Sequence, residues 1–286
     1  MNTVDLFGMN YKSEIYQSLQ KLVQSILPLE SNINVNGSQG TGKSTWSQFI
    51  LDQSGLSEHY GKIDIKEMDE DKFKVQLEAC RYRHILIENI DYLHKDNQAI
   101  LAQYIQTRSL QQKPVIITTS KRSLSDLARE GLLRQDLYYK LSVFNINLPD
   151  LKQAKAEIKT FAEYYLKAFA TNYKRPLMSL SNDAMVKLES FFWVGNILEL
   201  ENVVERAVLL CEGEVINDKH IRFDEFQKYN SLDLSLGMSL SEVERRLILQ
   251  TLEHTQNNRT KAAHILGISI RTLRNKINEY KEAGLI

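Results

Sequence analysis

The strongest chemical pattern in the chain is the run Gly37, Ser38, Gln39, Gly40, Thr41, Gly42, Lys43, Ser44. It fits G-x-x-x-x-G-K-[ST], follows the β-rich "NINV" (Asn32–Val35) and precedes the helical "TWSQFILDQ" (Thr45–Gln53), which is the context that pattern requires. Gly37, Gly40 and Gly42 let the backbone turn so that successive amides point inward. The positive end of the next helix adds to them. Lys43 is placed to reach the β- and γ-phosphates and Ser44 to hold Mg²⁺. The spacing predicts a site for ATP or GTP.

A second stretch, "ILIENIDYL" (Ile85–Leu93), reads as a buried strand ending in polar residues. That is the usual place for the carboxylates that act on a nucleotide. Glu88 is an acid there, but Asn89 is an amide and cannot take a proton from water. Losing general-base help typically lowers a rate by about 10²–10⁴.

Both stretches need a sheet to bring them together. Candidate strands are Asn32–Val35, Lys62–Ile65, His84–Glu88, Pro114–Thr119 and Val143–Leu148, separated by helical patterns such as "DNQAILAQYIQT". Alternation of this kind predicts an α/β fold with a parallel sheet flanked by helices. After Pro149 the strand signals stop, and residues 151–224 read as all-helical with a break at Pro176. Lys228–Ser239 is a polar, turn-rich linker, and a small all-α domain follows from about Leu240. The predicted divisions are 1–150, 151–227, 228–239 and 240–286.

The 36 basic and 36 acidic residues cancel, so any polyanion site must come from local segregation of charge. It does occur near the end. From Asn257 to Ile286, Arg259, Lys261, Arg271, Arg274, Lys276 and Lys281 stand against only Glu279 and Glu282. Ala262, Ala263 and Leu266 form a small apolar face, Gly267 allows a tight turn, and Ser269 can cap the next helix. Ile270, Leu273 and Ile277 share one side of that helix. Arg271, Thr272, Arg274, Asn275 and Lys276 project from its other faces, where a recognition helix meets base edges of double-stranded DNA. In the preceding helix, Leu240, Val243, Leu247, Ile248 and Leu252 make an apolar stripe suited to dimerisation. Cys80 and Cys211 are isolated and read as core thiols. No signal pattern or long apolar run is evident, so a cytoplasmic location is expected.

Three longer stretches resemble one family. "GLLRQDLYYKLSVFNINLPDLKQ" (Gly131–Gln153), "FWVGNILELENVVERAVLL" (Phe192–Leu210) and "NNRTKAAHILGISIRTLRNKINEY" (Asn257–Tyr280) are similar to segments of the bacterial enhancer-binding proteins, the NtrC-like AAA+ activators of sigma-54 polymerase. The resemblance implies an AAA+ three-layer sandwich with a helical lid, plus a Fis-type helix-turn-helix domain. It puts Glu88 at the metal, with Ser44, and Asn89 at the position of the base, although a register with Glu88 as base is also open. Arg134 matches a trans-acting arginine, whereas Lys140 replaces a second one. Leu198 replaces the sensor arginine, and Ser120 the usual sensor Asn or His. The interval from Ser54 to Arg83 carries no GAFTGA loop, the element that touches sigma-54.

These departures lead to the expectation of a DNA-binding regulator that binds ATP with weak or absent hydrolysis and does not remodel sigma-54 polymerase. A slow ATPase that activates transcription, or an assembly adaptor for a full-length activator, is the alternative. Homo-oligomers, by the C-terminal domain or the AAA+ domain, or mixed assembly with a related activator, are the expected partnerships. With about 36 residues before the P-loop, no receiver domain is expected there.

Overall fold

The computed structural model describes residues 9, 11–53, 60–68, 70–80, 84–107, 115–176, 178–223, 239–255 and 258–282. They fall into two units, Met1–Arg222 and Phe223–Ile286. Most of the proposed linker lies outside the described residues.

In the first unit, five parallel strands form one sheet in the order β2-β3-β4-β1-β5. They are β1 (Ile33–Asn36), β2 (Tyr60–Asp64), β3 (His84–Glu88), β4 (Val115–Ser120) and β5 (Phe144–Asn147). Covered on both faces, the central strands are buried along their whole length, all five residues of β3 and all six of β4. This explains their unbroken apolar runs. One face packs Ile63, Ile85, Ile87 and Ile116 against Phe73 and Leu77 of α3 (Glu70–Ala79) and Leu101 and Ile105 of α4 (Lys95–Thr107). That core also takes in α5 (Leu124–Arg129) and α6 (Gln135–Leu141). α1 (Glu14–Ile26) and α2 (Lys43–Gln53) complete the nucleotide-side subdomain.

Side chains staple the central strands as well. Asn34 of β1 accepts from Thr118 Oγ1 at 2.9 Å and Ser120 Oγ at 3.3 Å, and Asn32 Oδ1 accepts from the Ile116 amide at 2.8 Å. Because all strands run the same way, their carboxyl ends share one edge. Asn36 is in register with Ser120 and Asn147, and Asp64 with Glu88. A row of polar residues results, in the place where open α/β sheets bind ligands.

The lid contains α7 (Glu157–Asn172), α8 (Asn182–Ser190, capped by Ser181) and α9 (Asn196–Leu210). It is not wholly helical, as the sequence suggested: β6 (Ser179–Leu180) pairs in parallel with β7 (Val215–Ile216). Strands of two residues are too short to show a period-2 pattern. Trp193 is core, as its type suggests, 2% exposed and donating Nε1–H to the Leu188 carbonyl at 2.8 Å. Both cysteines are buried thiols. Among the described residues, no helix is long and apolar enough to cross a membrane.

The second unit holds α10 (Leu240–His254), α11 (Arg259–Leu266) and α12 (Ile270–Glu282). Ile248 and Leu252 pack with Ala262, Ala263, Leu273, Ile277 and Tyr280 in a single small core. The apolar stripe divides: Ile248 and Leu252 serve the chain's own core, while Leu240 (86%) and Leu247 (40%) stay exposed. A linear pattern identifies an apolar face but not what covers it. Ile270 likewise lies outside the core, 42% exposed.

Candidate functional site

The P-loop joins β1 to α2 with Gly40 at φ 78° and Gly42 at φ 87°, values that glycine alone adopts without strain. Gly37 N–H donates to the Ser120 carbonyl at 3.2 Å, which seats the loop at the β4 end. Lys43 Nζ donates to the carbonyls of Gly37 at 2.7 Å and Ser38 at 2.8 Å. Burial holds the Lys43 ammonium below its usual pKa; Asp91 opposes this, while Lys66 and Lys121 reinforce it.

The lid presses directly onto the loop. Asn196, at φ 55°, donates Nδ2–H to the Gln39 carbonyl at 2.9 Å, and its Oδ1 accepts from the Leu151 amide at 2.9 Å. The Leu198 amide donates to the Gly40 carbonyl at 3.1 Å. A Cβ on Gly40 would lie 2.0 Å from the Gly195 carbonyl oxygen. The loop glycine therefore serves lid packing as much as phosphate access. Nothing in the stretch "FWVGNILEL" signals that its Gly195 and Asn196 hold the P-loop.

A cavity of about 310 Å³ opens over the loop, lined by Gln39, Gly40, Gly42, Lys43, Ser44 and Thr45, with Asn89, Lys66, Lys121, Leu198 and Glu201 among its walls. A second, of about 220 Å³, shares Gly42, Thr45, Tyr165, Ile197 and Glu201 with it and adds Tyr11, Trp46, Phe161 and Tyr164. One end is thus cationic and rich in backbone amides, the other aromatic. That polarity suits a phosphate chain at one end and an aromatic base at the other. Burial raises the Tyr165 pKa, with Glu201 adding to it, and burial followed by Glu205 raises that of Glu201.

Of Glu88, Asn89 and Arg134, Asn89 alone lines this cavity. Glu88 is buried, does not line it, and forms an ion pair with Lys62 at 2.8 Å. Its hydrogen bond raises the Lys62 pKa. Asn89 does line the cavity, in the left-handed region (φ 60°, ψ 44°) where Asn is well tolerated. Its Nδ2–H donates to Asp64 Oδ1 at 2.8 Å and its amide to Thr119 Oγ1 at 3.0 Å. Ser44 is exposed on the cavity wall. Among the described residues, no group of three or more His, Cys, Asp or Glu could hold a metal ion. Lys66 and Lys121 were missed in the sequence, since nothing marks them among 36 basic residues.

In the second unit, Gly267 (φ 66°) ends α11, and Ser269 caps α12 by accepting from the Thr272 amide at 3.0 Å, both as read from the sequence. Arg271, Thr272, Arg274 and Asn275 are exposed along α12. Among the described residues, Arg271 and Arg274 have no salt-bridge partner. Lys276 differs: it pairs with Glu244 of α10 at 2.9 Å and approaches Glu279 at 3.8 Å.

Three family models tile the chain: a sigma-54 interaction domain over residues 11–151, an AAA+ ATPase lid domain over 152–233 and a bacterial regulatory protein, Fis family, over 239–280. The transcriptional regulatory protein FlbD of Caulobacter vibrioides is 32% identical, matching 93% of this chain and 68% of its own. The transcriptional regulatory protein ZraR of Escherichia coli is 32% identical over 96% of this chain and 69% of its own. The chain belongs to the NtrC-like family of sigma-54 regulators. The solved structure of NtrX from Brucella abortus in complex with ATP shares its fold, with TM-score 0.66 and 19% identity over 95% of this chain and 69% of that one.

Within the family's fold, Arg134 sits at the N-cap of α6, away from the cavity, with Nε and Nη2 bonded to the two Asp136 oxygens at 3.0 and 2.9 Å. The side-chain hydrogen bond raises its pKa and lowers that of Asp136. Lys140 Nζ reaches the Ala102 carbonyl at 3.4 Å. Tyr138 packs on the core, whereas Tyr139 is 74% exposed. Ser120, the sensor position, is fully buried.

Proposed function

We propose that this protein is a DNA-binding transcription regulator that binds ATP at Gly37–Ser44 without efficient turnover and does not itself remodel sigma-54 polymerase. The observation that carries this reading is the geometry at the end of β3. The base position holds an amide already bonded to Asp64, and the acid before it is neutralised by Lys62. Between β2 and β3, α3 runs as one uninterrupted ten-residue helix, which fits the lack of a sigma-54 contact loop. Nucleotide then serves to order the lid and any assembly of copies, alone or mixed with a related activator. In such an assembly, Arg134 is free to exchange Asp136 for a neighbour's phosphate.

DNA reading falls to α12. Arg271 and Arg274 offer the planar fork that reads guanine bidentately, whereas Lys276 braces α12 against α10. Replacing either arginine by Ala is expected to reduce specific binding by about 1–3 kcal/mol and relax sequence preference. Lys276→Ala acts more weakly and equally on all sequences. The test is binding to specific and scrambled duplexes at two salt concentrations, with ATP turnover measured on the same preparation. Turnover near the usual enzyme median of about 10 s⁻¹, or open-complex formation by this protein alone on a sigma-54 promoter, would refute the proposal. Specific binding unaffected by both arginine substitutions would refute the reading of α12.

A further inference from the structure

The sequence pattern calls for Mg²⁺ between Ser44 and Glu88, and the residues present do not fit it. Mg²⁺ in such sites is held through one or two carboxylates together with the substrate phosphates. Ser44 faces the cavity, but Glu88 is buried outside its lining: Oε2 pairs with the half-exposed Lys62 at 2.8 Å, and only Oε1, buried and without a hydrogen-bond partner, is left to offer a cation. Asp64, the neighbouring acid in the strand-end row, has its Oδ1 accepting from both the Lys66 amide at 3.0 Å and Asn89 at 2.8 Å. Asp91 accepts from the Lys121 amide at 3.1 Å and does not line the cavity. Among the described lining residues, the sole carboxylate is Glu201, on the lid beside Tyr165.

Cations take the place of those acids. Lys66 follows β2 and Lys121 follows β4, and both reach the cavity wall with Lys43. Lys66 Nζ also lies 4.8 Å from the Tyr92 ring centroid, which biases where the ammonium sits. Three ammonium groups around one phosphate loop repel one another when the loop is empty, an effect Asp91 offsets in part at Lys43, and a polyanion relieves that repulsion. A divalent ion brought to the same wall adds to the repulsion instead.

We propose that the pocket takes its nucleotide as the metal-free polyphosphate, with Lys66 and Lys121 supplying the charge that a divalent cation supplies in a hydrolysing site. This rests on the reading of Gly37–Ser44 as a nucleotide site. It also adds to the reasons for slow turnover, since an ammonium neutralises charge but cannot orient a nucleophile.

The test is the equilibrium affinity of the full chain for a fluorescent ATP analogue, in excess Mg²⁺ and in EDTA at matched ionic strength. The expected result is an affinity in EDTA within about twofold of that in Mg²⁺, or tighter. The double substitution Lys66→Ala, Lys121→Ala, at exposed positions, is expected to weaken binding in EDTA by about tenfold or more. Added Mg²⁺ should restore part of it. Wild-type binding that falls at least about tenfold in EDTA overturns the proposal and leaves the nucleotide reading standing. So does a double variant that binds like the wild type in EDTA. Absence of binding in both conditions overturns both readings.

Discussion

The two halves of the nucleotide pocket are built from different material. On the P-loop half, every contact ends on a backbone carbonyl: Gly37 to Ser120 and Leu198 to Gly40 through their amides, Asn196 to Gln39 and Lys43 to Gly37 and Ser38 through their side chains. On the β3 half, the groups that face one another are side chains: Glu88 with Lys62, Asn89 with Asp64. A backbone cradle depends on a few glycines and on packing, so side chains around it can change freely. A hydrolytic centre depends on two side chains at fixed positions, and one amide in place of an acid alters its chemistry. Binding geometry and catalytic geometry can therefore part company within one cavity.

The sharpest way to break the first half is Gly40→Ala. Its Cβ would meet the Gly195 carbonyl oxygen at 2.0 Å, and φ 78° is strained for any side chain. Backbone-to-backbone overlap has no flexible group to yield, so the lid must lift. A loss on the order of 3 kcal/mol is expected from strain and overpacking. For a domain of this size it corresponds to a fall in Tm of roughly 6–12 °C. An unchanged Tm would mean that lid and loop do not meet as described. Asn196→Gly should act less strongly. It accepts φ 55° but leaves the Gln39 carbonyl and the Leu151 amide without their partner. About 1–3 kcal/mol is expected, measured by denaturant unfolding, together with weaker nucleotide binding. Loss of stability without loss of binding would confine Asn196 to a packing role.

The two halves also differed in how far the sequence revealed them. The P-loop is legible because its chemistry needs glycines and a lysine at set spacing. β3 is legible to the residue, His84–Glu88, because a buried parallel strand is a continuous apolar run. β2 was read as Lys62–Ile65 but spans Tyr60–Asp64, since Asp64 accepts from the Lys66 amide and turns Ile65 into a 3₁₀ turn. The withdrawal of Glu88 into a pair with Lys62 has no sequence signal. It depends on two strands lying side by side, with Lys62 opposite Leu86 and Asp64 opposite Glu88. Lys66 and Lys121 are illegible for the same reason: register, not spacing, brings them to one wall. In the small domain, residue type marks the caps Gly267 and Ser269 and periodicity marks the core partners Leu273 and Ile277, but periodicity cannot separate Leu240 from Ile248 or Ile270 from Leu273. That distinction depends on which face the neighbouring helices cover.

The smallest expected effect is the one that simple motif repair would overestimate. Asn89→Glu installs the missing base, and general-base catalysis is worth about 10²–10⁴ in rate. Three local facts work against the repair. Asn89 is a donor to Asp64 at 2.8 Å, so a glutamate there loses the hydrogen bond and sets two carboxylates together. Like charges at that distance raise one pKa, and the new acid is pushed toward its protonated form at neutral pH. The backbone at φ 60° favours Asn over Glu. The single substitution is therefore expected to raise ATP turnover by less than about tenfold, well short of the general-base range. Adding Asp64→Asn supplies a neutral donor at that contact and should increase the gain. Turnover of the single and double variants, measured side by side with wild type, decides the point. A single variant that recovers the full general-base factor would show that the β3 half lacks nothing but its base.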